Sequence, residues 1–385
     1  MAGAWWRGKG ELREEQIDVI DLPADGNYLV TGPPGSGKTN ILLLRANYLT
    51  LLGKPNILIV VFTKTLQQFI ASGGRGYDFS AEKIVTCRKM LTDLLFQYGR
   101  AVVIPSKFEE ARTYLAEQVA DLVSKEKLGK IYDAILLDEA QDYTPQEIRL
   151  FSKLSERLFA VADSRQKIYK GEDPLNTLRE VVTQVLPLEY HYRNGQQICK
   201  LADGIAKGTD GHEKLIATCQ YNEEELPSSV AKPFRGTLAT QCQQIIASLK
   251  KQLRAYPGEH LAVICPKNDA LAQVWDYLNE DSELAPKLCL VGDDAMAFDD
   301  SKPVCVCTIH SAKGLEARAL HIVAADGLKK FPQQRNLSFT GVTRAKTSVA
   351  IYHDGDLPGY LQSAIDGLDP PKGKPPIDSL FGRKK

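Results

Sequence analysis

Short apolar runs, each about one strand long, alternate along this chain with stretches whose apolar residues return at helical spacing. Tyr28-Leu29-Val30 reads as a short buried strand. Asn56 to Thr63 is nearly all β-branched or apolar, the pattern of a parallel strand covered on both faces. Ile84-Val85-Thr86, Ile135-Leu136-Leu137 and Leu158 to Asp163 repeat that pattern, and Lys107 to Glu126 carries a helical period. A second block follows Pro187: Leu261 to Cys265, Lys287 to Val291, Val304 to Ile309 and Ala319 to Ala324 are short, apolar and separated by helical or polar stretches. That alternation predicts an α/β chain with two parallel sheets. Gly73 to Gly76 is expected as a loop, and Glu223-Glu224-Glu225, Asp293-Asp294 and Asp299-Asp300 as solvated surface. From Asp369 the sequence turns proline-rich and polar, too poor in apolar surface to order itself, so a flexible tail is expected.

Composition narrows the class without choosing a function. The 385 residues suggest two or three domains on a prior of ~150 residues each. Hydrophobic content of 43% and charged content of 25% suit a soluble globular chain. No run reaches the ~18 apolar residues of a membrane span. Met1 to Gly10 lacks an apolar centre, so no signal peptide is expected. Eight cysteines without a C-x-x-C clip point to reduced thiols and a cytoplasmic location. The 48 basic residues balance the 48 acidic ones, so a nucleic-acid partner must meet a local basic surface rather than a bulk positive field.

Candidate chemistry changes the picture. Gly32-Pro33-Pro34-Gly35-Ser36-Gly37-Lys38-Thr39 lies between the first strand and the apolar helical run Ile41-Leu42-Leu43-Leu44. Glycines at 32, 35 and 37 let backbone N–H groups turn inward onto an anion, which the positive end of the next helix also faces. Lys38 is then expected at the β- and γ-phosphates of a nucleoside triphosphate and Thr39 at Mg²⁺. Ile135-Leu136-Leu137-Asp138-Glu139 delivers two carboxylates at the end of a parallel strand, where ligands of such sheets collect. One, Asp138, suits Mg²⁺ and the other, Glu139, suits the attacking water. Gln16, upstream of the phosphate loop, offers both a donor and an acceptor to an adenine edge.

In this order the blocks resemble the superfamily 1 helicases of the UvrD, Rep and PcrA group. The resemblance runs from about residue 10 to residue 352. Gln16, the phosphate loop, Leu137 to Asp142 and Asp163-Ser164-Arg165-Gln166-Lys167-Ile168-Tyr169 carry it in the first half. Tyr192-Arg193, Thr308 to Glu316 and Gly341 to Lys346 carry it in the second. It implies two RecA-like parallel-sheet lobes of the P-loop NTPase kind, with ATP and Mg²⁺ in the cleft between them. The expected lobes are residues 1–186, with a reduced insertion at about 78–125, and 187–366; residues 367–385 are the tail. Tyr192 would stack on adenine, Glu316 would meet the ribose, and Gly314 would line the same site. Gln166, Arg193 and Arg344 would reach the γ-phosphate, and Thr63, Thr86, Thr308 and His310 would line a nucleic-acid track.

The departures concern the track. The intervals from Thr65 to Leu136 and from Arg193 to Thr308 are too short for the family's large inserted domains. Lys170-Gly171-Glu172 stands where the family has a base-stacking tryptophan, a contact of ~1–3 kcal/mol. Lys64, Asn40 and Cys87-Arg88 also differ from the family pattern. The resemblance therefore implies a translocase or helicase on single-stranded DNA, 3′-to-5′, that a protein partner completes. The alternative is an ATP-dependent switch controlling a partner, such as a nuclease in phage defence. A third reading is an RNA-directed ATPase, since no 2′-OH reader is recognisable that would set RNA apart from DNA. In the tail, Ile377, Leu380 and Phe381 resemble the apolar peptides that dock on replication clamps.

Overall fold

The computed structural model describes residues 12–73, 76–163, 173–209, 212–292, 299, 301–328 and 332–368. Gln166 and Lys170 to Glu172, Gly74, Asp293-Asp294, Asp300 and the tail residues Ile377, Leu380 and Phe381 lie outside them. The first sheet contains β1 (Tyr28–Thr31), β2 (Ile57–Val61), β3 (Ile84–Thr86), β4 (Ala134–Leu137), β5 (Leu158–Ala162) and β6 (Gln184–Pro187). Its order is β3-β2-β4-β5-β1-β6, and each described pair is parallel. The second contains β7 (Ser229–Val230), β8 (Phe234–Arg235), β9 (Leu261–Cys265), β10 (Leu288–Val291), β11 (Val304–Thr308), β12 (Ala317–Ile322) and β13 (Ala345–His353). It runs β10-β11-β9-β12-β13-β7, with β8 also against β13, again parallel at each described pair. These are two RecA-like α/β lobes.

Burial explains which strands the apolar runs disclosed. β4, β5, β9 and β11 are buried along their whole length, so each reads as an unbroken apolar run. β13 alternates buried and half-buried residues through its first half, and β6 is a mostly exposed edge strand ending on Pro187. Neither was expected from the apolar runs. The helical period found from Lys107 to Glu126 is the helix Phe108–Lys125. Glu223 corrects the reading of Glu223 to Glu225 as plain surface. It is half-buried, and its carboxylate accepts from Gln196 N and Ser228 N, anchoring the start of the Gln196–Ala206 helix.

Each lobe has its own apolar core, around Leu91, Val119, Ile135 and Phe151 in the first and Ile245, Val263, Leu278 and Val306 in the second. A further apolar cluster runs through both, from Ile41 and Ile70 to Ile309 and Leu337. Gly314 shows how closely the lobes approach. Its φ is 87°, and a Cβ there would come within 2.3 Å of Leu66 Cδ1. The parallel order brings the C-terminal ends of β4, β5 and β1 side by side. The phosphate loop, Asp138-Glu139 and Asp163 therefore emerge together, opposite the residues that lead into β12 and β13.

Candidate nucleotide-binding cleft

The phosphate loop leaves β1 and ends where the helix Lys38–Leu51 begins, with Gly35 and Gly37 left-handed at φ 79° and 86°. Gly35 is required for a second reason. A Cβ on it would lie 2.5 Å from Arg193 Cβ, and its carbonyl accepts from Tyr192 N at 3.1 Å. Lys38 Nζ donates to the loop's own carbonyls, Gly32 O at 2.7 Å and Pro33 O at 2.8 Å. Thr39 Oγ1 donates to Asp138 at 3.1 Å, joining the loop to the end of β4. Gln16 is buried and has both amide functions engaged locally. Its Nε2 donates to Ser36 O at 2.7 Å and its Oε1 accepts from Arg13 N at 3.0 Å.

Three carboxyls are buried or nearly so just beyond β4, and their surroundings push them apart. Burial and the neighbouring Glu139 charge raise Asp138 to about 7. Burial raises Asp142 to about 6 in spite of Lys313. Glu139 feels the same burial, but Lys313, Arg344 and Lys38 outweigh it and lower its pKa. Glu139 is thus the carboxyl of the three whose ionised form its surroundings favour. Its backbone is left-handed at φ 49°, a conformation that costs a non-glycine residue ~1–3 kcal/mol. Gln141 fixes it there: Nε2 donates to Glu139 Oε2, and Oε1 accepts from Asp163 N at 2.9 Å.

The second lobe supplies the cations. Lys313 is buried and reaches Asp142 at 2.6 Å and Glu139 at 3.5 Å. Burial would lower its pKa, but the two carboxylates prevail and raise it. Arg193 and Lys346 both pair with Glu316, the latter at 3.4 Å. Burial opposes the Glu316 charge, yet these cations and Arg344 hold its pKa down at about 2. Arg344 is buried, donates from Nε to Thr340 O at 3.0 Å, and is lowered to about 10 by burial and then by Arg193. It remains charged at neutral pH, in a medium where its field is weakly screened. Arg193 Nε is buried and meets no hydrogen-bond acceptor among the described residues.

These groups line a cleft of about 430 Å³, which brings together Gln16, Gly35, Gly37, Lys38, Thr39, Asp138, Glu139, Tyr192, Arg193, Gly314, Glu316 and Arg344. Gly32 lies at the base of the loop, where a Cβ would meet Ser36 Oγ at 2.9 Å. The half-buried Tyr192 donates its hydroxyl to Glu15 and lies under the Arg13 guanidinium, 5.6 Å from the ring centre. Sequence reasoning passed over Lys313, Gln141 and Lys346. Each stood inside a motif block, but only the fold shows what it reaches.

The track residues sit elsewhere. Thr63, Thr86 and Thr308 lie at or just past the ends of β2, β3 and β11, and each hydroxyl caps the following turn. They accept from Leu66 N at 3.1 Å, Lys89 N at 3.2 Å and Ser311 N at 3.2 Å. His310 is exposed.

An AAA domain model matches residues 16–172, and a UvrD-like helicase C-terminal domain model matches residues 303–352. No curated protein matches the chain. No helix among the described residues is long and apolar enough to cross a membrane. One match covers the phosphate loop and the paired carboxylates; the other covers Lys313, Glu316 and Arg344, which face them. This chain carries the ATP-hydrolysing core of a UvrD/Rep-like superfamily 1 helicase.

Proposed function

We propose that the chain is an ATP-driven translocase on single-stranded DNA, moving 3′-to-5′, with its track completed by a protein partner. The observation that carries the reading is the charge arrangement at Glu139. Of the three carboxyls Glu139 alone has its pKa lowered, and the cations that lower it come largely from the other lobe. Hydrolysis that needs both lobes is hydrolysis tied to their closure, the mechanical step of a two-lobed motor.

In this reading the loop amides and Lys38 bind the phosphates of ATP, Gln16 and Tyr192 hold its base, and Glu316 meets the ribose with Gly314 beside it. Thr39 and Asp138 would hold Mg²⁺. The fit rests on a hydroxyl and a carboxyl already 3.1 Å apart, and on a carboxyl whose raised pKa a cation would relieve. Mg²⁺ when bound would neutralise charge on the phosphates. Glu139 accepts a proton from the attacking water, and Gln141 orients it. Arg193 and Arg344, with Gln166, stabilise charge on the transferred group, a contribution of ~10³ or more in rate for an arginine supplied across a cleft.

The test is the ATPase rate without polymer, with single-stranded DNA, with duplex and with RNA, each at two salt concentrations. A track on single-stranded DNA predicts steep stimulation by that polymer, fading with salt. A second reading, an ATP-dependent switch that controls a partner without unwinding, draws on the capping bonds of Thr63, Thr86 and Thr308. Each of these oxygens accepts a backbone N–H of its own turn, which ties the three side chains to capping rather than to a strand. Indifference to every polymer would favour the switch.

A further inference from the structure

Next to Tyr192 and Arg193, among residues that do not line the cleft, three donors of a different chemistry converge. His191 and Cys199 are fully buried and Cys219 is half-buried. Their ligand atoms all lie within 4.8 Å of one another. His191 Nε2 is 3.8 Å from Cys199 Sγ, close to the ~3.5–3.8 Å edge that Zn–N and Zn–S bonds of ~2.0 and ~2.3 Å give a tetrahedron. The three come from separate stretches held in register. His191 pairs with Cys219 as an isolated parallel bridge, and Cys199 rides the first turn of the Gln196–Ala206 helix. Both sulfurs contact one atom, Asn194 O, at 3.4 Å from Cys199 and 3.3 Å from Cys219. His191 Nε2 also meets Leu215 O at 2.8 Å.

We propose that His191, Cys199 and Cys219 form a binding site for a thiophilic divalent cation of the zinc class. The fourth position falls to the Asn194 carbonyl oxygen or a water. Two sulfurs and one imidazole nitrogen are a soft donor set that selects zinc over magnesium or calcium. Binding balances as follows. Two thiol protons leave to solvent, two sulfur–metal bonds and one nitrogen–metal bond form, the imidazole proton moves from Nε2 to Nδ1, and the Nε2–H bond to Leu215 O is given up. The bound cluster is electrically neutral, so its burial incurs no net charge penalty. Its position gives it reach: His191 directly precedes Tyr192 and Arg193. Asn194 Nδ2 donates to Thr343 O at 2.9 Å and Ala345 O at 2.6 Å, the residues on either side of Arg344. A cation here would stiffen the wall that holds both arginines of the cleft.

The probe is Co²⁺, which reports thiolate ligation by absorption. The full-length chain is reduced, stripped with chelator, freed of reductant under nitrogen and titrated with CoCl₂. The proposal predicts a sulfur-to-cobalt charge-transfer band that saturates at about one equivalent and is displaced by ZnCl₂. Cys219→Ser, a change at the half-buried ligand, should weaken Co²⁺ binding about tenfold or more. Cys242→Ser, a buried thiol in another helix, should leave it intact. A folded wild-type chain with no charge-transfer band overturns the proposal. So does a band that persists unchanged in both Cys199→Ser and Cys219→Ser.

Discussion

Lys313→Met removes the charge that joins the two lobes while nearly keeping the side-chain volume. In the native chain Lys313 Nζ is 2.6 Å from Asp142, with side-chain exposures of 2% and 0%. Removing one member of so buried a pair costs ~3–5 kcal/mol, because the partner's charge stays behind without compensation. Protonation of Asp142 limits its share of the loss. Neutralising a carboxyl of ordinary pKa 3.8 at pH 7 costs about 4 kcal/mol at 1.36 kcal/mol per pH unit. The sign of the pH dependence follows. Asp142 has a folded pKa above its unfolded value, so stability falls as pH rises from about 4 towards that folded pKa, and is flat above it. In wild type the fall ends near 6, and without Lys313 it extends higher. The deficit of the variant should therefore be largest above pH 7 and shrink towards pH 5. Urea unfolding followed by far-ultraviolet circular dichroism at pH 5, 6, 7 and 8 measures it. Lys313→Met/Asp142→Asn should recover most of the loss, since no carboxylate is then stranded. A deficit under ~1 kcal/mol, one that ignores pH, or a double variant worse than the single would refute the reasoning.

Other expectations follow from the same geometry. Glu139→Gln should bind ATP about as well as wild type, yet turn over ~10²–10⁴-fold more slowly, as read by nucleotide titration beside phosphate release. Lys38→Ala should lose affinity and turnover together, because its ammonium also braces the carbonyls of Gly32 and Pro33. Glu316, held down at about 2, contributes stability above pH 4.5 that is lost as pH falls towards 2. Glu316→Gln should thus be less stable than wild type at pH 7, with the gap in urea midpoints narrowing at pH 4.

What the sequence disclosed was what local chemistry determines. Glycine spacing, an apolar strand before it and a helix after it are sufficient to draw the phosphate loop. Asp138-Glu139 was legible because a buried strand ends there abruptly on two acids. The distinction between the two acids was not. It depends on Lys313 and Arg344, more than 170 residues away along the chain, and on Gln141, whose contact with Asp163 crosses strands. β13 escaped because a strand with one half-buried face mixes Lys346, Thr347 and Ser348 among its apolar residues, and short apolar runs find only strands buried on both faces. Tyr192 and Arg193 were placed by resemblance. The metal-ligand geometry beside them was invisible, because His191, Cys199 and Cys219 share no motif spacing and meet only through a helix turn and a single bridge.

The central claim is that hydrolysis is completed by arginines of the second lobe. Arg344→Ala tests it most directly, with kcat measured at saturating ATP and the ATP dissociation constant measured separately on the same preparation. The account predicts a fall in kcat of ~10² or more with a change in affinity of only a few-fold, since Arg344 acts on charge that develops during the reaction. Equal losses in kcat and affinity would make Arg344 an ordinary ground-state contact and contradict the account.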